Sequence, residues 1–477
     1  MASRLVLGLD LGTSALKAVV TDVQGEVLAS AGWPLTTRSR LPGEAEQEPG
    51  QWLEAVRCAC GALDATAAAG PDWRTRVAGV GLAGQLPTLV RLGDHGTVGN
   101  AITWKDSRAD AAAAQVIRDR RRVLYEQTGM PIDGRYLAPM LRFHRHAHPE
   151  PVRGVLSAKD YLCYALTGLK VTDPSTAAGY GLYDLSSGAF APGLCELWSV
   201  PADFLPAIRP AHSTAGPLTP AGATLLGLRP GLPVTVGAAD SVASAYAMTG
   251  LGEQGRACII MGSSAVILDT VHKRVLDERM RYLLTPHVEP DWYAREMDLL
   301  ATGTGHRWLA ELLGLSDEAL VQAAAGSAPG ANGLLFTPYL AGGEQGALWN
   351  PSLRGSITGL TLQSRREDLA RAFLEGMGYE MRRCIDVLGE THPVREVVLA
   401  GHLAASDFGR QLLADILGRS VQAFPSVSPA ALGAAYGALR CLDTTLAPRL
   451  PSLPPCTGPG ADRETCERGY ARYLRHT

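Results

Sequence analysis

The chain has 477 residues, of which 46% are hydrophobic and 19% charged, and this composition is typical of a soluble globular protein with room for two domains. A formal net charge of −3 gives no reason to expect nucleic acid or an anionic membrane as a partner. No apolar run reaches the length of a membrane span, and we expect no secretory signal. Nine scattered cysteines without zinc-ligand spacing indicate reduced thiols, so we expect a cytoplasmic protein.

The first predicted element is a strand–turn–strand unit over 5–22, with an apolar run on either side of Gly12. Backbone N–H groups and the hydroxyls of Thr13 and Ser14 in such a turn can face a phosphate. Asp10 would lie beside that phosphate, and its carboxylate would require Mg²⁺ between the two negative charges. A surface hairpin with an ordinary turn aspartate explains this stretch equally well when it is taken alone.

Two further predicted strands end in residues that suit a ligand site. The strand over 77–82 leads into a loop at 83–87, and ligands gather at such strand ends in open sheets. The cluster at 104–108 combines an indole ring, two cations and one carboxylate, a set that can hold a polyhydroxylated ligand. A helix start capped by Asp106 accounts for the same cluster equally well.

The stretch 230–240 predicts a strand that ends in Gly237, two alanines and Asp240, followed by a helix of small residues over 241–248. Small residues allow a ligand or a second backbone to approach closely. A carboxylate at this strand end could accept a proton from a substrate hydroxyl. Taken alone, an aspartate in front of a helix is better explained as a helix cap.

The stretch 257–269 repeats the first strand–turn–strand pattern, with Gly262, Ser263 and Ser264 in its turn. Two similar turns of the phosphate-binding type indicate two related domains that face each other across a cleft. Chance similarity is the alternative, because glycine and serine are common residues.

The rest of the chain continues the alternation of strands and helices. A Gly-rich loop is predicted over 336–350, helices over 366–388 and 407–417, and a strand over 394–400. The segment after 444 is rich in proline and predicts a peripheral, loosely held tail.

Taken together, these motifs resemble those of the FGGY family of carbohydrate kinases, and the likeness runs from about 6 to 440. The segments that carry it are DLGTS at 10–14, WKDSR at 104–108, GAAD at 237–240, GSS at 262–264, and the stretches 355–359 and 369–375. Within the family the likeness is greatest to the xylulokinases, through AGQ at 83–85, KDY at 159–161, LTG at 166–168 and PYLAG at 338–342.

The resemblance implies an α/β fold with two ribonuclease-H-like domains, of the type found in actin and hexokinase, that face a central cleft. The implied division is a sugar-binding domain over 1–243, a nucleotide-binding domain over 244–443 and a Pro-rich tail over 444–477. The implied activity is transfer of the ATP γ-phosphate to a hydroxyl of a ketopentose such as D-xylulose or of a related sugar or polyol, with Mg²⁺. The partner would be that small molecule, and the oligomeric state stays open between a monomer and a homodimer.

The resemblance also implies roles for individual residues. The general base would be Asp240, and Asp10 would place the metal ion. The implied ATP-binding residues are Gly12, Thr13, Ser14, Lys17, Gly262, Ser263, Ser264, Gly303, Gly401 and His402. The implied substrate-binding residues are Gln85, Leu86, Pro87, Trp104, Asp106, Arg135 and Asp240.

Several positions depart from the family pattern. His402 replaces a glycine, Leu86-Pro87 replaces Met-His, and the loop at 342–346 replaces Gly-Glu-Arg-Thr-Pro. Arg135 stands where related kinases present a neutral residue. Because the phosphate-side residues are kept while the sugar-side residues differ, we expect a kinase with a shifted acceptor, one larger than D-xylulose or acidic. The alternative is a non-catalytic relative that binds sugar or nucleotide as a sensor or scaffold.

Overall fold

The structure is a computed structural model, and it describes residues 4–65, 70–145, 150–251, 255–341, 346–445 and 448–477. Most of the divergent loop at 342–346 therefore lies outside the described residues. The strands are β1 (Leu5–Leu11), β2 (Ala15–Asp22), β3 (Val27–Pro34), β4 (Glu46–Gln47), β5 (Val77–Gly84), β6 (Thr88–Gly93), β7 (Gly96–Thr97), β8 (Ala101–Thr103), β9 (Gly154–Leu156), β10 (Val171–Thr172), β11 (Tyr183–Asp184), β12 (Ala189–Phe190), β13 (Ala207–Ile208), β14 (Thr214–Pro217), β15 (Pro233–Thr235), β16 (Ala238–Ala239), β17 (Arg256–Met261), β18 (Ala265–His272), β19 (Leu283–Pro286), β20 (Trp292–Leu299), β21 (Leu335–Thr337), β22 (Ser356–Thr358), β23 (Glu396–Ala400) and β24 (Ser420–Ala423).

The helices follow the same chain order. They are α1 (Pro49–Ala62), α2 (Trp73–Arg76), α3 (Asp110–Ile117), α4 (Arg121–Thr128), α5 (Leu137–His144), α6 (Ala158–Thr167), α7 (Pro174–Ala178), α8 (Pro192–Trp198), α9 (Pro220–Leu226), α10 (Asp240–Thr249), α11 (Gly303–Leu312), α12 (Asp317–Ala325), α13 (Arg366–Gly389), α14 (Asp407–Leu417), α15 (Pro429–Leu442) and α16 (Arg463–Leu474). In the described part of the chain, no helix combines the length and the hydropathy that crossing a membrane requires.

The chain divides into two compact units. Unit 1 comprises Met1–Ala247, Val271–Ala294 and Val427–Leu450, and unit 2 comprises Met248–Thr270, Arg295–Ser426 and Pro451–Thr477. α15 packs on β1 and β5 and lies in unit 1.

Unit 1 is built on a sheet with the strand order β14-β15-β5-β1-β2-β3. β1 pairs antiparallel with β2, which confirms the predicted strand–turn–strand unit, and parallel with β5. β15 and the short β16 also pair parallel with β5. The ends of β1, β5 and β16 therefore point to the same edge of the sheet, where ligands of open α/β sheets bind.

β1 is buried along its whole length because helices cover both of its faces. Its leucines belong to a core that also contains Trp52 and Val56 of α1. On the opposite face, Gly8 and Gly81 let α15 lie directly on the backbone of the sheet. A Cβ atom at Gly8 would lie 2.1 Å from the Ala431 carbonyl oxygen, so a larger residue would force the helix away. Asp10 shares the face of Gly8, since side chains two apart in a strand point the same way.

Unit 2 contains a sheet with the strand order β19-β20-β18-β17-β23-β24. β17 pairs antiparallel with β18 and parallel with β23, which repeats the arrangement of β1 with β2 and β5. A fully buried ion pair between Arg295 and Asp269 lies in this unit, and the Arg295 guanidinium also donates to the Leu388 carbonyl oxygen of α13. This contact ties the end of α13 to the sheet.

The C-terminal segment is packed onto unit 2, so the prediction of a loosely held tail was wrong. Tyr473 in α16 is fully buried, and its hydroxyl donates to Glu380 at 2.8 Å and lies 3.1 Å from the Tyr339 hydroxyl. Thr457 also pairs with Val421 of β24 through two backbone hydrogen bonds. The prolines end regular structure locally, but they do not prevent the following helix from docking through its tyrosines.

Candidate active site

Three predicted site residues meet at one edge of the unit 1 sheet. The last residue of β16 lies opposite the last residue of β5, which in turn lies opposite the last residue of β1. Asp240 follows β16 directly, Gln85 follows β5, and Asp10 is the penultimate residue of β1. The register therefore brings two carboxylates and one amide together from positions up to 230 residues apart, as expected for ligand-binding residues of a parallel sheet.

Asp10 is buried, and only one of its two carboxylate oxygens is satisfied by hydrogen bonding. Oδ2 accepts a hydrogen bond of 3.1 Å from the Ser428 hydroxyl and lies 3.9 Å from the Lys17 ammonium. Oδ1 has no hydrogen-bond partner among the described residues. Burial raises the pKa of Asp10, against the opposing effects of Lys17 and Ser428. A buried carboxylate oxygen without a donor suits a hard cation such as Mg²⁺.

The described residues contain no group of three or more His, Cys, Asp or Glu side chains that could hold a metal ion by themselves. This does not conflict with the proposed Mg²⁺ site near Asp10. Magnesium in nucleotide enzymes commonly takes one or two carboxylates and completes its octahedron with phosphate oxygens and water.

The turn between β1 and β2 is tied to the predicted sugar side of the site. Its backbone is closed by a hydrogen bond from the Gly12 N–H to the Ala15 carbonyl oxygen. The Thr13 hydroxyl donates to Gln85 Oε1 and accepts from Trp104 Nε1, both at 2.9 Å. Thr13 was predicted to contact phosphate, but its hydroxyl proton is used by Gln85. The phosphate contacts of this turn would therefore come from backbone N–H groups and from the exposed Ser14.

Gln47 completes this hydrogen-bonded chain and was not predicted. Its side-chain nitrogen donates to the Thr13 carbonyl oxygen at 2.7 Å, and its Oε1 accepts from Gln85 at 3.0 Å. Trp52 Nε1 also donates to Gln47 Oε1, at 2.9 Å. No local pattern marks Gln47 as part of the site, because Thr13 and Gln85 lie 34 and 38 positions away in the sequence.

Asp106 is buried and committed to neighbouring protein groups. Its carboxylate accepts from the Ala45 N–H at 2.9 Å and pairs with the Arg108 guanidinium at 2.6 Å. Arg108 also pairs with Glu46 at 2.6 Å. Trp104 is half-buried, and the Lys105 ammonium lies 5.3 Å from the centre of its ring. Asp106 therefore braces this loop.

Arg135, which suggested an acidic acceptor, is paired with a carboxylate two residues away. Its guanidinium lies 2.6 Å from Asp133, and Asp110 adds a second negative charge nearby. Burial and the Asp133 carboxylate raise the pKa of Asp110 to about 6. The two arginines on this side of the site are thus balanced by carboxylates of the same unit.

Leu86 and Pro87 follow Gln85 and are joined by a cis peptide bond. Both side chains are half-buried. They add apolar shape beside Gln85, and Pro87 contributes no backbone donor.

Asp240 is half-buried at the first position of α10. One of its carboxylate oxygens accepts from the Ser241 N–H at 2.9 Å. The chain approaches it through Gly237, whose φ of 81° requires glycine, since a Cβ there would lie 2.2 Å from the Leu82 carbonyl oxygen. The glycine of the GAAD motif is therefore a structural requirement that brings this segment against β5.

The second predicted phosphate turn lies in unit 2, between β17 and β18. The Gly262 N–H donates to the Ser264 carbonyl oxygen at 2.8 Å. The Thr304 N–H and hydroxyl both donate to the Ser263 carbonyl oxygen at 3.1 Å, which fixes the start of α11 on this turn. A Cβ at Gly303 would lie 2.2 Å from the Gly262 oxygen, so only glycine fits there.

Gly401 and His402 follow β23, the parallel neighbour of β17. Gly401 has a φ of 113°, and a Cβ there would lie 2.3 Å from the Met261 carbonyl oxygen. The rings of His402 and His306 are 4.6 Å apart. Desolvation and the neighbouring His306 lower the pKa of His402 to about 4, so its ring is neutral at pH 7. Unit 2 therefore brings the Gly262–Ser264 turn, the start of α11 and the Gly401-His402 turn to one edge of its sheet.

Comparison with known proteins identifies the family of this chain. The model of the N-terminal domain of the FGGY family of carbohydrate kinases matches residues 5–247, and that of the C-terminal domain matches 257–441. The chain is 32% identical to a xylulose kinase of Staphylococcus epidermidis, across 92% of this chain and 88% of that protein. It is 28% identical to a gluconokinase of Bacillus licheniformis, across 90% and 86% of the two chains.

A solved structure extends the comparison to the fold. The crystal structure of xylulose kinase from Rhodospirillum rubrum superposes with a TM-score of 0.83 at 30% identity, covering 99% of this chain and 98% of that one. The chain therefore belongs to the FGGY family of carbohydrate kinases and has its two-domain, mixed α/β fold of the actin and hexokinase type.

Proposed function

We propose that this carbohydrate kinase transfers the γ-phosphate of ATP, with Mg²⁺, to a hydroxyl group of a neutral ketopentose such as D-xylulose. The observation that carries the proposal is the meeting of Asp10, Gln85 and Asp240 at one edge of the unit 1 sheet. Phosphoryl transfer requires alignment, charge neutralisation and a proton acceptor, and this constellation supplies candidates for each.

In this proposal Asp240 accepts the proton of the attacking sugar hydroxyl. Asp10 would hold Mg²⁺ through its unpartnered oxygen, and the ion would neutralise charge on the phosphates. Gln85 and Trp104, which share the Thr13 hydroxyl, would orient the sugar.

The nucleotide contacts in this proposal come from the two glycine-containing turns and the neighbouring strand ends. The backbone N–H groups of each turn are the candidate phosphate contacts of its own unit. The residues assigned to ATP are Gly12, Thr13 (through its backbone), Ser14, Lys17, Gly262, Ser263, Ser264, Gly303, Gly401 and His402.

A neutral acceptor is favoured over an acidic one because the two arginines of the sugar side are paired. Arg108 is bound by Asp106 and Glu46, and Arg135 is bound by Asp133. A carboxylate substrate would have to compete with these internal partners. The similarity to xylulose kinases supports a ketopentose, while the similarity to a gluconokinase makes gluconate the acid to test.

The substrate experiment measures ADP release in a coupled assay with D-xylulose, D-ribulose, L-ribulose, glycerol and gluconate. We expect the highest kcat/KM with a ketopentose, and Arg135→Ala should change that preference little. A clear preference for gluconate that disappears in Arg135→Ala would refute the neutral acceptor. No sugar-dependent ADP release from any member of a broad panel would instead favour a non-catalytic sensor or scaffold.

The role of Asp240 is tested by Asp240→Asn, which preserves size but removes the proton acceptor. Turnover should fall about 10²–10⁴-fold, while ATP binding measured by calorimetry stays unchanged. Exposed Asp203 offers a control, since Asp203→Asn should retain wild-type turnover. Near-normal turnover of Asp240→Asn with the true substrate would remove Asp240 from this role.

We also propose a cytoplasmic location, because all nine cysteines are free thiols. Whether the active species is a monomer or a homodimer is measured directly by light scattering of the purified chain.

A further inference from the structure

A buried charge network lies behind the segment that carries Asp240. The Lys159 ammonium is fully buried, 2.8 Å from Asp160 and 3.0 Å from Asp173. It also donates to the Val236 carbonyl oxygen at 2.9 Å. Burial lowers the pKa of Lys159, but the two carboxylates outweigh that effect and raise it above its ordinary value. The lysine therefore stays charged and anchors the residue that precedes the GAAD motif.

The other end of the motif is held by Ser175. Its hydroxyl donates to the Asp173 carboxylate and accepts a hydrogen bond of 2.9 Å from the Ala239 N–H. Asp173 also accepts from the Ser175 N–H at 2.9 Å, which caps α7. Both Asp173 and Ser175 are completely buried, so water cannot replace these bonds.

The sheet pairs with only two residues of this segment, Ala238 and Ala239 in β16. Gly237 in front of β16 has a left-handed backbone, and its N–H donates to the Ala211 carbonyl oxygen outside the sheet. The Lys159 and Ser175 bonds therefore supply fixed points at Val236 and Ala239, the latter immediately before Asp240. A catalytic group that is misplaced by about 1 Å can lose about 100-fold in rate.

We propose that Ser175, held by Asp173 and Lys159, is a positioning residue that sets the orientation of Asp240. This inference rests on the proposed function, in which Asp240 is the general base. Ser175 acts through the Ala239 backbone and does not itself meet the substrate.

The test is steady-state kinetics of Ser175→Ala with the substrate identified in the acceptor panel. We expect kcat to fall about 10–100-fold. The KM values for sugar and ATP should change less than about threefold, because the bonds that orient the base do not hold the substrates. Ser175→Thr, which restores the hydroxyl, should recover much of the lost kcat. If the alanine variant does not fold, Ser175→Cys is the substitute, because cysteine has nearly the size of serine but is a weak hydrogen-bond acceptor. This variant should also lose kcat while its KM values stay nearly unchanged.

Ser157→Ala provides a matched control. Ser157 is also a buried serine of unit 1, but its hydroxyl has no hydrogen-bond partner among the described residues. This variant should keep wild-type kcat. A loss in Ser157→Ala equal to that in Ser175→Ala would show that any cavity in this region reduces turnover, and would overturn the proposal.

The double variant Ser175→Ala/Asp240→Asn separates this inference from the proposed function. If Ser175 acts through Asp240, its replacement should cost less than about twofold once Asp240 is already asparagine. The positioning role would be refuted if adding Ser175→Ala to Asp240→Asn lowered kcat about 10–100-fold further. It would also be refuted if Ser175→Ala alone raised KM and left kcat unchanged. Near-normal turnover of Asp240→Asn alone would refute the general base, whatever Ser175→Ala does.

Discussion

Asp110→Asn is expected to stabilise the protein above pH 6, although it removes a charged residue near the site. Asp110 is half-buried at the start of α3, and its Oδ1 has no hydrogen-bond partner among the described residues. Burial and the Asp133 carboxylate raise its pKa from an ordinary value of 3.8 to about 6, against the opposing attraction of Arg135. Asparagine has similar size but carries no charge, so it avoids the free-energy cost of holding a charged carboxylate in this half-buried position.

The direction in which stability changes with pH follows from the number of protons that the folded and unfolded chains bind. Between about pH 4 and 6 the folded chain holds the Asp110 proton and the unfolded chain does not, so stability falls as the pH rises through this window. The full displacement of the pKa corresponds to about 3 kcal/mol. Solvent still reaches this side chain, and its charge favours the helix N-terminus by about 0.3–1 kcal/mol. We therefore expect a net gain of about 1–2 kcal/mol for Asp110→Asn at pH 8.

The measurement is urea unfolding of both proteins at pH 5 and pH 8. The advantage of Asp110→Asn should be larger at pH 8 than at pH 5. Asp119→Asn is the control, because Asp119 is exposed and its replacement should be neutral at both pH values. A variant that is less stable than the wild type at pH 8, or whose advantage is the same at both pH values, would refute the reasoning.

Two further predictions concern close packing in the separate units. A Cβ at Gly81 would lie 1.8 Å from the Ala434 carbonyl oxygen, so Gly81→Ala should lower the free energy of unfolding by about 1–3 kcal/mol or more, as measured in urea. Gly61→Ala, where no atom lies within 4 Å of the added Cβ, should instead be neutral or stabilising. In unit 2, His402 stands where the family pattern has a glycine, so its ring should crowd the nucleotide. His402→Gly should therefore tighten ATP binding, measured by calorimetry, about threefold to tenfold, or by about 0.7–1.4 kcal/mol. Weaker binding would show that the His402 ring contacts the nucleotide favourably.

Local elements could be predicted well because their signals lie within a few residues. The helix expected over 407–417 coincides with α14, where the Ser406 hydroxyl accepts from the Gly409 N–H and Gly418 adopts a left-handed conformation. The strand–turn–strand unit at 5–22 is likewise present as β1 and β2. Capping residues, turn glycines and apolar periodicity act locally, so they are visible without tertiary information.

The identity of the family was also determined by the sequence, because several short motifs occur in a shared order along the chain. The sequence did not determine the role of each residue within those motifs. Asp106 and Arg135 are each consistent with a ligand-binding group or with an internal ion pair, and periodicity does not distinguish the two. In the structure both side chains are bound to opposite charges within unit 1.

Only the tertiary structure could show the contacts that join distant parts of the chain. Ser428 donates to Asp10 from 418 positions away, and Ser175 supports Ala239 from 64 positions away. Tyr473 anchors a tail whose prolines suggested loose attachment. Each of these bonds depends on strand register and helix docking, which arise from burial summed over a whole unit. A sequence specifies the donors and acceptors, but the packing of the folded chain determines which of them meet.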